Sequence, residues 1–230
     1  MKKTKDKTHK PRRKQWFWIL AILPLALVGA GMLMCNHTPR AYQPAPADTS
    51  DEVSTYLTHE LGPDFFNNIQ LDQPFDLIVR QEGINEILTN EALYEDFGDF
   101  SYADPMIVFD VSKIYLMGTL KYKGISSVVT IIAEPVMDAS GKINMNIQSI
   151  RMGVLPVTKL VAFLAQKAFD MSRDEFEGEE DIAVVTQAII RNEPFDPVFE
   201  VSGSTARISD FTLSPGLLTL RFQPIPQTEN

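Results

Sequence analysis

Ile107-Val-Phe-Asp-Val-Ser-Lys-Ile-Tyr-Leu-Met-Gly-Thr-Leu-Lys-Tyr122 decides the fold. Ile107, Phe109 and Val111 recur at every second position, and so do Ile114, Leu116, Gly118, Leu120 and Tyr122. A period of two sends alternate side chains to opposite faces of a sheet, so one face is apolar and the other more polar. Two such runs in succession predict neighbouring antiparallel strands.

The pattern continues outward. Val128, Thr130 and Ile132 repeat it, followed by Ile143, Met145 and Ile147. Lys123-Gly124 and the stretch Asp138 to Gly141 supply turns between these runs. Upstream, Phe75 to Arg80 reads as a strand and Glu82 to Tyr94 as a helix with Ile84, Ile87 and Leu88 on one face. A weaker helical stretch covers Asp51 to Leu61. Downstream the period changes. Pro156 suits a first helical turn, and Val157, Leu160, Val161, Leu164 and Ala168 form an amphipathic stripe. Ile182, Val185 and Ile189 share a face of the next helix, and the acids of Glu177 to Asp181 favour its N-terminus. Three strands close the chain at Val198–Val201, Ala206–Leu213 and Leu217–Phe222, with Ser214-Pro215-Gly216 turning between the last two.

The expected class is therefore α+β: a twisted antiparallel sheet packed on one or two long amphipathic helices, preceded by an N-terminal transmembrane helix. That helix is expected at residues 16–35, where twenty uncharged, mostly apolar residues follow eight basic ones. At about 1.5 Å per residue the run spans roughly 30 Å, a bilayer's hydrocarbon thickness. Basic residues resist translocation, so the N-terminus is expected in the cytoplasm and the remainder outside the cell membrane. Residues 1–15 form a cytoplasmic tail, 36–50 a Pro- and Ala-rich linker, and 51–230 the exterior domain. A cleaved signal peptide and a lipoprotein are the competing readings. Met32-Leu33-Met34 continues the apolar run past Val28 to Gly31, and Met34 occupies the place before Cys35 where a lipoprotein needs a small residue.

Charge divides at the anchor. Residues 36–230 hold 13 basic and 29 acidic groups, a net of −16. An acidic exterior argues against nucleic acid as a partner and accords with solubility. Cys35 is the sole cysteine, so no intrachain disulfide forms, as is ordinary for an exported bacterial domain.

Reactive constellations are scarce. His37 and His59 are the only histidines after the anchor, which leaves a Ser-His-Asp triad or a His/Cys metal site without material. No catalytic residue, metal ligand or cofactor is expected. The acids between Glu91 and Asp104 and between Glu175 and Asp181 read as solvated loops, and Glu134 as a strand-end acid beside Pro135. The second run lacks the spacing of a calcium loop.

The apolar signal is stronger. Leu160 to Ala165 with Phe169 is apolar nearly all round a helix, which suits burial between layers or an apolar cavity. The residues expected to line such a cavity are Ile132, Met145, Ile147, Leu160, Phe163, Leu164, Ile182 and Val185. An ordinary packed core is the plainer reading of the same residues.

One further signal is a resemblance. The order Ile143 to Ile147, then Ile150-Arg-Met-Gly153-Val-Leu-Pro156, an apolar helix, and late strands Ile208–Leu213 and Leu217–Leu220 resembles the YpmS-type family of bacterial envelope proteins. That family's cue, Gly-x-Leu-x-(Ile or Leu)-Pro before an apolar helix, is present here in shortened form at Gly153 to Pro156. Val157-Thr-Lys-Leu160 replaces the commoner spacing after it. The resemblance, over roughly residues 75–222, implies a single membrane helix, an exterior domain similar to tubular lipid-binding folds, and no catalytic residues. The expected function is a non-catalytic envelope protein holding a lipid or other apolar ligand between sheet and helix. The alternative is a protein-interaction or assembly module of an envelope complex.

Overall fold

The computed structural model describes residues 33–45, 53–90, 95–97, 100–171, 180–201 and 203–225. Its architecture is α+β, with antiparallel sheets and four α-helices among the described residues. The strands are β1 (Phe75–Arg80), β2 (Glu95–Phe97), β3 (Phe100–Asp110), β4 (Lys113–Tyr122), β5 (Ile125–Ala133) and β6 (Val136–Met137). They continue with β7 (Ile143–Asn144), β8 (Ile147–Met152), β9 (Leu155–Pro156), β10 (Val198–Val201), β11 (Ser204–Ser214) and β12 (Leu217–Ile225). The helices are α1 (Gly62–Ile69), α2 (Gln81–Asn90), α3 (Thr158–Met171) and α4 (Glu180–Arg191).

Two main sheets replace the single expected one. One runs β1-β12-β11-β10 and the other β2-β3-β4-β5-β8-β9, with β6 and β7 as a separate pair. The expected meander is the six-stranded sheet, except that the strand expected over Ile143 to Ile147 is split: Ile143–Asn144 pairs with β6 as a separate ribbon, and only from Ile147 does the chain join the sheet, as β8. The late strands leave it to form the second sheet with β1. The helix expected at Asp51–Leu61 is met from residue 55: a wide helical turn, Leu57–Leu61, leads into α1, whose first turn takes Pro63, and residues 51 and 52 lie outside the described set. Of the expected anchor, only Leu33 to Cys35 lie among the described residues, where no helix is long and apolar enough to cross a membrane.

Turn chemistry fixes the hairpins. Lys123 and Gly124 both adopt positive φ between β4 and β5, as a two-residue hairpin of native twist requires. Pro215-Gly216 turns β11 into β12, and this loop also joins the two sheets. The Gly216 N–H donates to the Phe109 carbonyl at 3.1 Å, and its carbonyl accepts from the Gln81 N–H at 2.9 Å. Helix α2 then completes the edge of β3. Asn85 bonds both the N–H and the carbonyl of Ile107, at 2.7 and 2.9 Å, and the Gln81 side chain accepts from the Phe109 N–H at 2.9 Å. These amides stand in for a strand and pair the edge groups of Ile107 and Phe109.

The core lies between the two sheets under α1 and α4. Leu77 and Val79 of β1, Phe109, Ile114, Ile143, Ala188, Ala206, Ile208 and Phe222 are buried in one cluster. Phe222 sits with its ring centroid 5.3 Å from both Phe65 and Phe75, edge-on to the first and stacked on the second. Strand alternation sends Met106, Val108, Tyr115, Met117 and Val128 to the opposite face of the six-stranded sheet, where they form a second, smaller cluster with Tyr42.

Glu86 anchors the start of the domain. It accepts from the Ser54 hydroxyl at 2.8 Å and from the Tyr56 N–H at 3.0 Å. These bonds, the backbone one first, hold its carboxyl below the ordinary glutamate value of 4.5. A depressed folded-state pKa stabilises the fold fully above the unfolded value and loses that contribution as pH falls through the folded one. Glu86→Gln is expected to cost about 1 kcal/mol near neutral pH. It should also flatten the stability profile below pH 4.5. Urea titrations across that range, native against variant, measure both effects.

Candidate functional site

The segment leading away from the expected anchor is clamped to the six-stranded sheet. The Val154 N–H donates to the Met34 carbonyl at 3.0 Å, and the Ser127 hydroxyl to the Cys35 carbonyl at 2.6 Å. Gly153, at the β8–β9 turn with φ +58°, leaves no room for a side chain. A Cβ there would meet the Met34 carbonyl oxygen and stand 2.5 Å from that of Cys35. Further along, Tyr42 is buried against Met117 and Val128 on the other face of the sheet. Its hydroxyl donates to the Asp104 carbonyl at 2.8 Å and pairs with the Thr119 hydroxyl at 2.7 Å. Burial, above all, raises the Tyr42 phenol above 10.0, and Asp104 adds to the rise. Tyr102, whose ring packs over Gly118, is raised chiefly by burial as well. Both stay neutral at ordinary pH, which suits a lock and not proton transfer. Residues 36–45, read in the sequence as an extended spacer, thus lie against the sheet. Residues 46–50 of that spacer are outside the described set.

Helix α3 follows directly. The Thr158 hydroxyl accepts from the Ile150 N–H at 2.8 Å, and the Val157 N–H donates to the Ile150 carbonyl at 2.8 Å. The helix therefore starts from the edge of β8 beyond its short pairing with β9, and it packs along α4. Its exposed positions mix apolar and polar groups, Leu160 and Phe163 with Lys159 and Gln166. Leu160 is 59 % exposed and Phe163 66 %, one helical turn apart, and Val184 on α4 is 61 % exposed.

The eight expected lining residues are distributed as follows. Met145 and Val185 are each half-buried against the main core. Ile147 is half-buried at the start of β8, where its N–H donates to the Asn192 side chain at 2.8 Å. Ile132 pairs across the strand with Tyr115, which puts it on the opposite face of the sheet from the core. Leu160 and Phe163 face water, not a shelter between helix and sheet. Leu164 and Ile182 lie on α3 and α4, with side chains outside the described set. The expected single lining is thus spread over the core, the far face of the sheet and the surface. All-round apolarity predicts an α3 buried on two sides. Among its described side chains Val161, Ala162 and Ala165 are half-buried and Leu160 and Phe163 are exposed.

Among the described residues, no group of three or more His, Cys, Asp or Glu side chains is placed to hold a metal ion. His59 is exposed, with Nδ1 2.9 Å from the Thr58 hydroxyl. Glu134 follows β5 at half burial, its N–H donating to the Met145 and Asn146 carbonyls. The acids Glu91 and Asp99, and those from Glu175 to Glu179, fall outside the described residues. No family model matches the chain, and no curated protein or solved structure is found to be similar to it.

Proposed function

We propose that this is a single-pass membrane protein with a cytoplasmic N-terminus, whose extracytoplasmic α+β domain engages lipid without catalysis. The observation that carries the reading is the exposure of Leu160 and Phe163, one turn apart on α3: they are large apolar groups held in water, as is Val184 on the helix that packs along α3. Surface positions of this kind, grouped on adjoining helices, mark contact with something apolar. The chemistry is shelter, on the order of 0.8 kcal/mol for each methylene removed from water. An acyl chain laid along α3 needs no charged contact to be held. The resemblance to the YpmS-type family, which implies one membrane helix and a lipid-type exterior fold, supports the same reading.

Native mass spectrometry and organic extraction of the secreted 33–230 region test it. Bound lipid is expected on the native protein. The pair Leu160→Asp and Phe163→Asp should reduce it at least tenfold, because burial of one such side chain contributes about 1.5–3 kcal/mol. Native protein recovered without lipid, yet capturing a single envelope protein through the same two residues, would move the assignment to the assembly module.

A further inference from the structure

We propose that the β8–β9 turn and the first two turns of α3 rest on the outer surface of the bilayer that holds the anchor, so that lipid reaches α3 directly from that leaflet. The inference rests on the reading of residues 16–35 as the anchor and adds how the domain is oriented on it.

Three observations point to this surface and to lipid as its occupant. The first is where the apolar run ends. The carbonyls of its last two residues, Met34 and Cys35, accept from Val154 and Ser127, so no free spacer separates the end of the membrane segment from this turn. With about 3.3–3.6 Å of reach per extended residue, even a few undocked residues would let the domain stand clear of the surface. Here there are none. The second is the apolar character of what is brought there. Leu33 is 77 % exposed and Met34 and Val154 are each 42 % exposed, and α3 begins four residues after Val154 with Leu160 and Phe163 on its outward face.

The third is charge. From Ala139 to Phe169 the chain carries Lys142, Arg151, Lys159 and Lys167 and no acidic residue. This is unlike the rest of an exterior region with a net of −16. Arg151 and Lys159 are exposed at the end of β8 and the start of α3. Exposed apolar side chains with exposed cations close by in the chain suit the phosphate and acyl boundary of a leaflet. The surrounding acidity would repel the same leaflet if another face were turned to it. A protein partner has no such claim on this position, because only the membrane is delivered there by the chain itself.

The test uses the full chain in phosphatidylcholine vesicles containing phosphatidylglycerol. With Cys35→Ser as background, V154C, L160C, F163C and, as a control, Q223C are labelled one at a time with an environment-sensitive fluorophore. Blue-shifted emission and protection from a water-soluble quencher are expected at 154, 160 and 163 and not at 223. Arg151→Glu with Lys159→Glu should weaken that protection while the protein still floats with the vesicles. Flotation with water-like emission at all sites overturns the orientation and leaves the anchor standing. Failure to float overturns the anchor, and the orientation with it. Emission that shifts with protein-to-lipid ratio marks contact between copies of the chain and also overturns the proposal.

Discussion

Replacing Phe222 with alanine is expected to lower folding stability by about 3–5 kcal/mol, a large share of what holds an ordinary domain folded. The ring is 5 % exposed and closes an aromatic group with Phe65 and Phe75. These three side chains come from α1, β1 and β12, so the cavity opens where three elements meet and none can collapse alone. Phe222→Leu keeps most of the volume and should cost less than about 1.5 kcal/mol. Urea unfolding followed by far-ultraviolet circular dichroism distinguishes the two. Equal losses for alanine and leucine would mean that the ring geometry, not the filled volume, sets the energy.

Gly83→Ala is expected to destabilise by about 1–3 kcal/mol, although alanine is the better helix former. Gly83 lies in α2, where helix propensity alone would reward the change by about 1 kcal/mol. A Cβ there would land on the ring of Tyr56, which is buried and whose hydroxyl accepts from the Arg80 N–H at 2.9 Å. The ring cannot retreat without giving up that bond and its contact with the Arg80 guanidinium, 5.1 Å from the ring centroid. Steric conflict therefore wins over propensity. A double-mutant cycle measures it: in a Tyr56→Ala background the same glycine change should become neutral or stabilising. Persistence of the loss in that background would mean that the helix, not the ring, needs the glycine.

Much of the fold is legible in the sequence because period two and period 3.6 are both strong here. The strands β1, β4, β5, β10, β11 and β12 and the helices α2, α3 and α4 lie within a few residues of where the apolar spacing puts them. What alternation cannot supply is the partner. Leu77 and Val79 announce an inward face, but nothing local says that β1 pairs with Leu217 to Phe222. The same gap hides the two-sheet division, since a strand reads alike in either sheet.

The site is less legible. All-round apolarity in α3 suggests enclosure, yet it equally describes a helix with one side on the protein and one side in water. Residues 36–45 carry no period at all, so composition suggests a spacer, and only Tyr42 hints at docking. Gly153 stands out in the sequence only as part of a family cue. Its physical reason, a crossing by the backbone of Met34 and Cys35, depends on residues more than a hundred positions away.

The place of β1 in its sheet has a consequence for how the protein comes into being. In that sheet β1 borders β12 alone, so an early strand waits for the last one. A half-made chain emerging from the ribosome has nothing to zip β1 against, and the aromatic seal of Phe75 with Phe222 cannot close until synthesis is nearly finished. Such long sequence separation slows closure. The four-stranded sheet thus cannot close before β12 is made, whereas the six-stranded sheet, contiguous in sequence, needs nothing beyond Pro156.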